Sequence, residues 1–235
     1  MLGYIKLRLK SSMIREEKVF GKTIRCEIET DADRSVFEEV FVDRDYKVLD
    51  TAIQNASVIV DLGGHIGCFS VYAAILNANA RIISYEPEKR NFQQFKQNIK
   101  LNKVRNVTVK NLAIGGERGE RMLNLNEDSH AHSFVLEGEG KEKVSVTDFA
   151  GVLKNVGGNA DLMKIDTEGA EFEFFDGASD EDVVKVGTFY IEYHEFGSGM
   201  VADKITRRLK ALGFSIQKTP SFYDRRMGFI LAKKA

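Results

Sequence analysis

From Val58 onward, short apolar runs rich in Val and Ile alternate with longer segments of helical period, the pattern of a parallel sheet covered by helices. The runs fall at residues 58–62, 81–85, 107–111, 161–165 and 188–192. Between the second and third, residues 88–101 predict a helix. Pro87 stands at its start, where a missing N–H costs nothing, and Phe92, Phe95 and Ile99 recur at three and four residues to give one buried face. Another helix over residues 201–212 stops at Gly213, a residue type favoured just past a helix end. Residues 214–218 and 228–232 then read as two strands joined by a polar loop that holds Pro220, so the sheet gains an antiparallel strand.

Upstream the pattern changes. Ile5, Leu7 and Leu9 alternate with Lys6, Arg8 and Lys10, which is a half-buried strand and not the apolar core of a signal peptide. Residues 1–57 lack the strand–helix alternation and predict an extension of strands and a helix that covers one sheet edge or the mouth of a site; residues 58–235 form the α/β domain. Within that domain, residues 115–143 are glycine-rich and polar. Met122, Leu123 and Leu125, then Phe134 and Val135, mark short strands inserted before the next helix.

At 235 residues the chain is long enough for one sizeable core, and 43% hydrophobic with 29% charged residues is ordinary for a protein that folds alone. The 34 Lys and Arg nearly balance the 35 Asp and Glu, so no global positive field exists to gather a polyanion, and nucleic acid is a disfavoured partner. No run approaches the roughly 20 apolar residues of a membrane span. The two cysteines, Cys26 and Cys68, show no metal-ligand spacing and read as reduced, buried thiols, in keeping with a cytoplasmic location.

The informative stretch runs from Val58 to Ser70, a strand ending in Asp61 that turns through Gly63, Gly64 and Gly67 into a helix. Glycines let a ligand approach the backbone, and the free N–H groups of the next helix favour an anion. The spacing is D-x-G-x-x-x-G and not the dinucleotide fingerprint G-x-G-x-x-G, so a cofactor smaller than a dinucleotide fits better. Asp61 can take the ammonium of a methionine moiety, with the backbone of Gly63 and Gly64 along its chain. Glu86, about twenty residues further at the next strand end, can accept from both ribose hydroxyls of an adenosine. Ala113, beyond the third strand, is small enough to leave room for an adenine. The fourth strand delivers Asp166, Glu168 and Glu171 to the same rim, and the fifth delivers Glu192 and His194. Glu171 can equally open the following helix, whose dipole favours acids, and His194 can be a general base or a plain loop histidine.

The segments 61–70, 85–87, 111–115, 164–171 and 191–194 together resemble the FkbM-type methyltransferases over about residues 36–232, most specifically in Lys-Ile-Asp-Thr-Glu-Gly at 164–169. The resemblance implies a class I methyltransferase fold, Rossmann-like, with a seven-stranded, mostly parallel sheet and a terminal antiparallel hairpin. It also implies S-adenosylmethionine as cofactor and transfer to a hydroxyl oxygen of a sugar, polyketide-like or other small molecule. By that likeness Asp61, Gly63, Gly67 and Glu86 contact the cofactor; Gly64, His65 and Ala113 stand beside them as candidate cofactor residues by position, His65 where many members carry Asn.

Since the sulfonium is already activated, the protein has to align an acceptor oxygen and remove its proton. Two routes fit the residues: His194 or one of Asp166, Glu168 and Glu192 as general base, or Mg²⁺ held by Asp166 and Glu192. The rivals are a nucleic-acid methyltransferase, a nicotinamide-dependent dehydrogenase and a non-catalytic binding protein on the same fold.

Overall fold

The computed structural model describes residues 12–125, 140–222 and 224–234. The expected strand at Ile5–Leu9 and the Phe134–Val135 segment lie outside them. The chain opens with a hairpin, β1 (Met13–Val19) and β2 (Lys22–Ile28), then α1 (Asp31–Phe37), a π-helical segment (Glu38–Asp43), a 3₁₀ turn (Asp45–Leu49) and α2 (Asp50–Asn55). The α/β series follows as β3 (Val58–Leu62), α3 (Cys68–Leu76), β4 (Arg81–Tyr85), α4 (Lys89–Leu101) and β5 (Val107–Lys110). Next come the short strands β6 (Ala113–Ile114), β7 (Gly119–Leu125) and β8 (Gly140–Thr147), then α5 (Phe149–Asn155) and β9 (Ala160–Ile165). The chain closes with α6 (Ala170–Asp176), α7 (Asp180–Val183), β10 (Val186–His194), α8 (Ala202–Ala211), β11 (Phe214–Pro220) and β12 (Met227–Lys234).

Seven strands make the main sheet in the order β11-β12-β10-β9-β3-β4-β5, with β12 antiparallel to both its neighbours and the other pairings parallel. This is the expected architecture. The strand direction of growth reverses at β3, which has β4 on one side and β9 on the other, and open α/β sheets bind ligands outside the strand ends at that point. Each sheet face carries a core. One joins Phe149, Phe174, Phe175, Phe189 and Phe214, with Phe175 and Phe189 rings 5.3 Å apart. The other joins β3, β4 and α3 to Ile24, Phe37, Phe41, Tyr46 and Leu49, so the N-terminal segment shares the core of the α/β series.

Sequence and structure part company at α4. Pro87 precedes the helix and Glu88 is its N-cap, accepting from the Arg90 and Asn91 backbone. The buried face is not Phe92, Phe95 and Ile99 but Asn91, Gln94, Phe95 and Asn98, because this face meets a strand edge whose peptide groups require partners. Asn98 Oδ1 accepts from Glu27 N at 2.7 Å while its Nδ2 donates to Ile66 O at 2.8 Å. Gln94 donates to Glu27 O, and Asn102 exchanges two bonds with Arg25. Amide side chains thus complete the edge of β2.

Two further differences are local. β8 was not expected, although Lys143-Val-Ser-Val-Thr147 alternates as a strand should; it pairs with β6 and with β7, the latter carrying the anticipated Met122, Leu123 and Leu125. Pro220 ends β11 and does not sit in the loop.

Replacing Asn98 by Ala leaves the half-buried Glu27 N–H and the buried Ile66 carbonyl without partners, which should cost about 2–4 kcal/mol. Urea unfolding monitored by far-UV circular dichroism checks this, with the m-value unchanged.

Candidate active site

Parallel register sets the foundation of the site. Asp61 on β3 is the Cα partner of both Ser84 on β4 and Lys164 on β9, so three polar side chains meet at one level inside the sheet. Asp61 Oδ2 accepts from Ser70 Oγ at 2.7 Å and Ser84 Oγ at 3.0 Å. Lys164, 3% exposed, donates to Gly63 O at 2.8 Å and to Asp166 Oδ2 at 3.2 Å, with Asp61 Oδ1 at 3.6 Å. Burial works against its charge, but Asp166 and Asp61 outweigh it and keep the ammonium protonated.

The glycine loop is fixed from several sides. Gly63 has φ +79°, and a Cβ there would lie 1.6 Å from Asp166 O, so the loop crosses the tip of β9 only because the side chain is missing. At Gly64 and Gly67 a Cβ would strike the Phe95 ring at 2.6 and 2.2 Å. Gly63 N and Gly64 N both donate to Tyr85 O. All three glycines therefore meet packing demands of the protein itself.

A cleft of about 490 Å³ opens above the strand ends, within the roughly 300–1,000 Å³ typical of small-molecule sites. At one end lie His65, Glu86 and Pro87, with Leu112, Ala113 and Ile114 beside them. Glu86 Oε2 accepts from His65 N at 2.8 Å and Oε1 from Glu88 N at 2.9 Å, and Asn111 ties down the Glu86 and Pro87 carbonyls. Burial raises the Glu86 carboxyl to about 8 against those two stabilising bonds. At the other end lie Lys164, Asp166, Glu168 and Glu192. The N-terminal segment supplies the roof through Ser35, Val36, Glu39, Val40 and Tyr46. Glu39 sits on the π-helical segment, and burial, then the charge of Asp166, raise it to about 7.

Behind the acidic end, His194 is fully buried. Glu171 Oε1 accepts from His194 N at 2.7 Å and lies 3.2 Å from its Nδ1. Burial alone would lower the imidazole pKa, but the bond to Glu171 and the charges of Glu168, Glu171 and Asp166 raise it to about 10. Glu192 is pushed up by burial and then by Asp166, and pulled back by His194.

The family model described as the methyltransferase FkbM domain matches residues 61–216, two thirds of the chain. The chain belongs to the FkbM methyltransferase family. A protein named Methyltransferase 1 from Beauveria bassiana (strain ARSEF 2860) is 23% identical over 225 residues, covering 85% of this FkbM chain and 89% of its own. The crystal structure of a methyltransferase FkbM from Methylobacillus flagellatus KT is similar at TM-score 0.52 and 18% identity, covering 75% of this chain and 43% of that one. The N-terminal domain of EvdMO1, solved with SAH bound, is similar at TM-score 0.50 and 12% identity, over 82% of this chain and 80% of that one. The fold is that of class I methyltransferases, and the activity of the family is methyl transfer.

Of the residues singled out in the sequence, Gly63, Gly64, His65, Glu86, Ala113, Asp166, Glu168 and Glu192 line the cleft of this FkbM domain. Three do not. Asp61 is fully buried behind the loop, with Oδ2 taken by Ser70 and Ser84 and Oδ1 3.6 Å from Lys164 with no hydrogen-bond partner. Gly67 packs on Phe95. His194 is buried behind the carboxylates, against Glu171, and does not line the cleft. Sequence reasoning missed Lys164, Glu39 and the bond between Glu171 and His194. A lysine inside an apolar parallel strand was a visible signal for the first. Nothing local marked Glu39.

Replacing Lys164 by Met leaves Asp61 buried without its cation and should destabilise the fold by about 3–5 kcal/mol in urea unfolding. Because Glu86 titrates near 8 when folded and near 4.5 when not, the folded state holds the extra proton between those values. The melting temperature of the unliganded protein should therefore fall as pH rises from 5 to 8.5, and Glu86→Gln should flatten that fall in differential scanning calorimetry.

Proposed function

We propose that this FkbM methyltransferase uses S-adenosylmethionine to methylate a hydroxyl of a small molecule held under the N-terminal roof. The observation that carries the reading is the single cleft joining a carboxylate fit for ribose to a cluster of carboxylates. Glu86 is pinned by two backbone N–H groups, one on each oxygen, so in its ionised form each keeps a lone pair for a ribose hydroxyl. Leu112, Ala113 and Ile114 give the adenine an apolar wall. From there the methionine portion runs past Gly63 and Gly64 and points its methyl group at Asp166, Glu168 and Glu192. The SAH seen in the N-terminal domain of EvdMO1, and the D-fucose present with it in a companion structure, support this class of cofactor and acceptor.

Methyl transfer breaks the C–S bond, leaves its electron pair on sulfur and forms a C–O bond, while the hydroxyl proton goes to a base. Glu39 faces this end from the roof, and a carboxyl titrating near 7 is half ionised at neutral pH. The acidic lining repels phosphodiesters, which agrees with a small-molecule acceptor over a nucleic acid. It favours one second reading, an amine acceptor drawn to the same carboxylates; the methylated product distinguishes the two.

No described helix is long and apolar enough to cross a membrane. A cytoplasmic location belongs to the proposal and is supported by the two free, buried cysteines, Cys26 and Cys68.

Isothermal titration calorimetry with SAH tests the cofactor reading, and mass spectrometry of extracts incubated with labelled methyl donor reports the acceptor. Asp166→Asn should abolish transfer while leaving SAH affinity within about twofold. Full turnover by that variant would remove Asp166 from the chemistry, and absence of heat with SAH on folded protein would end the reading.

A further inference from the structure

Resting on the reading of the cleft as a methyl-transfer site, we propose that Asp166, Glu192 and His194 form a binding site for a first-row transition-metal dication, with His194 Nε2 as its nitrogen ligand. One donor atom from each lies within 4.8 Å of the others. The acidic cluster alone would not define a site; the imidazole does. His194 is fully buried, and its Nε2 has no hydrogen-bond partner. It stands 3.7 Å from Glu168 Oε2 and 3.9 Å from Glu192 Oε1, too far for hydrogen bonds. An ion bonded at about 2.0–2.2 Å to nitrogen and oxygen would bridge such donors with an inward shift of about an ångström.

The ring is also oriented as metal-bound histidines are. Glu171, fully buried, lies 3.2 Å from Nδ1 and 2.7 Å from the His194 backbone nitrogen. A carboxylate on one ring nitrogen fixes the tautomer that offers the other nitrogen's lone pair. Thr167 Oγ1 and Gly169 N hold the second oxygen of Glu171. Lys164 orients Asp166 from the opposite side. His194 approaches from behind, whereas Asp166 and Glu192 line the cleft, so the open positions of an ion would face the acceptor.

The donor set also selects the metal. One imidazole with two carboxylates suits Mn²⁺, Fe²⁺, Co²⁺ or Zn²⁺, whereas Mg²⁺ prefers oxygen and retains its waters. The Mg²⁺ read from Asp166 and Glu192 alone is thereby replaced by a softer cation. Bound there, such an ion supplies Lewis acidity that lowers the pKa of an acceptor hydroxyl.

The test is Mn²⁺ binding to chelator-treated, full-length protein, followed by the electron paramagnetic resonance signal of free Mn²⁺. We expect one Mn²⁺ per chain, bound roughly tenfold or more tightly than Mg²⁺. Glu192→Gln should weaken it by a similar factor. Glu171→Gln, which touches only the histidine side of the site, should weaken it roughly 10–100-fold. Circular dichroism and SAH calorimetry on each variant report whether it is folded. Protein that binds SAH but takes up no Mn²⁺, or whose Glu192→Gln variant binds it unchanged, overturns the metal site and leaves the cofactor reading standing. Mn²⁺ uptake without SAH binding sustains the site and overturns the cofactor reading instead.

Discussion

One ammonium group, Lys164 Nζ, holds together the region on which everything else is built. It sits inside the sheet between β3 and β9, donating to the Gly63 carbonyl and to Asp166, with Asp61 close by. Two carboxylates at this depth would repel each other and resist burial; a cation between them reverses both effects. The geometry follows from register, since Asp61 and Lys164 are direct partners across the parallel pair. The loop bearing Gly63 is thereby clamped to the β9 tip at a distance no side chain would permit.

From that clamp the carboxylates spread in two directions with different electrostatic fates. Glu86, at the β4 end, is solvated by backbone N–H groups alone and waits for donors from a ligand. Asp166, Glu168 and Glu192, at the β9 and β10 ends, face the imidazole of His194. The N-terminal segment adds Glu39 and Tyr46 from above, with Tyr46 packed on Phe69 and Tyr190, so the roof is continuous with the core beneath it.

The strand series was legible because its signal is local. Val-Ile-Val and Arg-Ile-Ile runs between helical segments leave little choice of fold, and residues 58–62 and 81–85 begin and end where the pattern places them. The carboxylates at strand tips were legible for the same reason, since topology brings strand ends together. What was not legible depended on partners distant in sequence. The buried face of α4 looks apolar when Phe92 and Ile99 are counted, yet Asn91, Gln94 and Asn98 turn inward because β2, some seventy residues upstream, presents unpaired peptide groups there. The bonds from Ser70 and Ser84 to one oxygen of Asp61 were equally out of reach, since register and the turn of α3 bring those hydroxyls together. Nor did the sequence show that the glycines of the loop also answer to Phe95 and the Asp166 carbonyl.

The amide of Asn98 adds a polar tie between two parts of the molecule that already share an apolar core. Its oxygen grips the hairpin at Glu27 and its nitrogen grips the loop at Ile66. A strand lifted from this helix would drag the amide with it and slacken the Ile66 peptide in the same movement. Hairpin and glycine loop are therefore geared to one another through a single side chain.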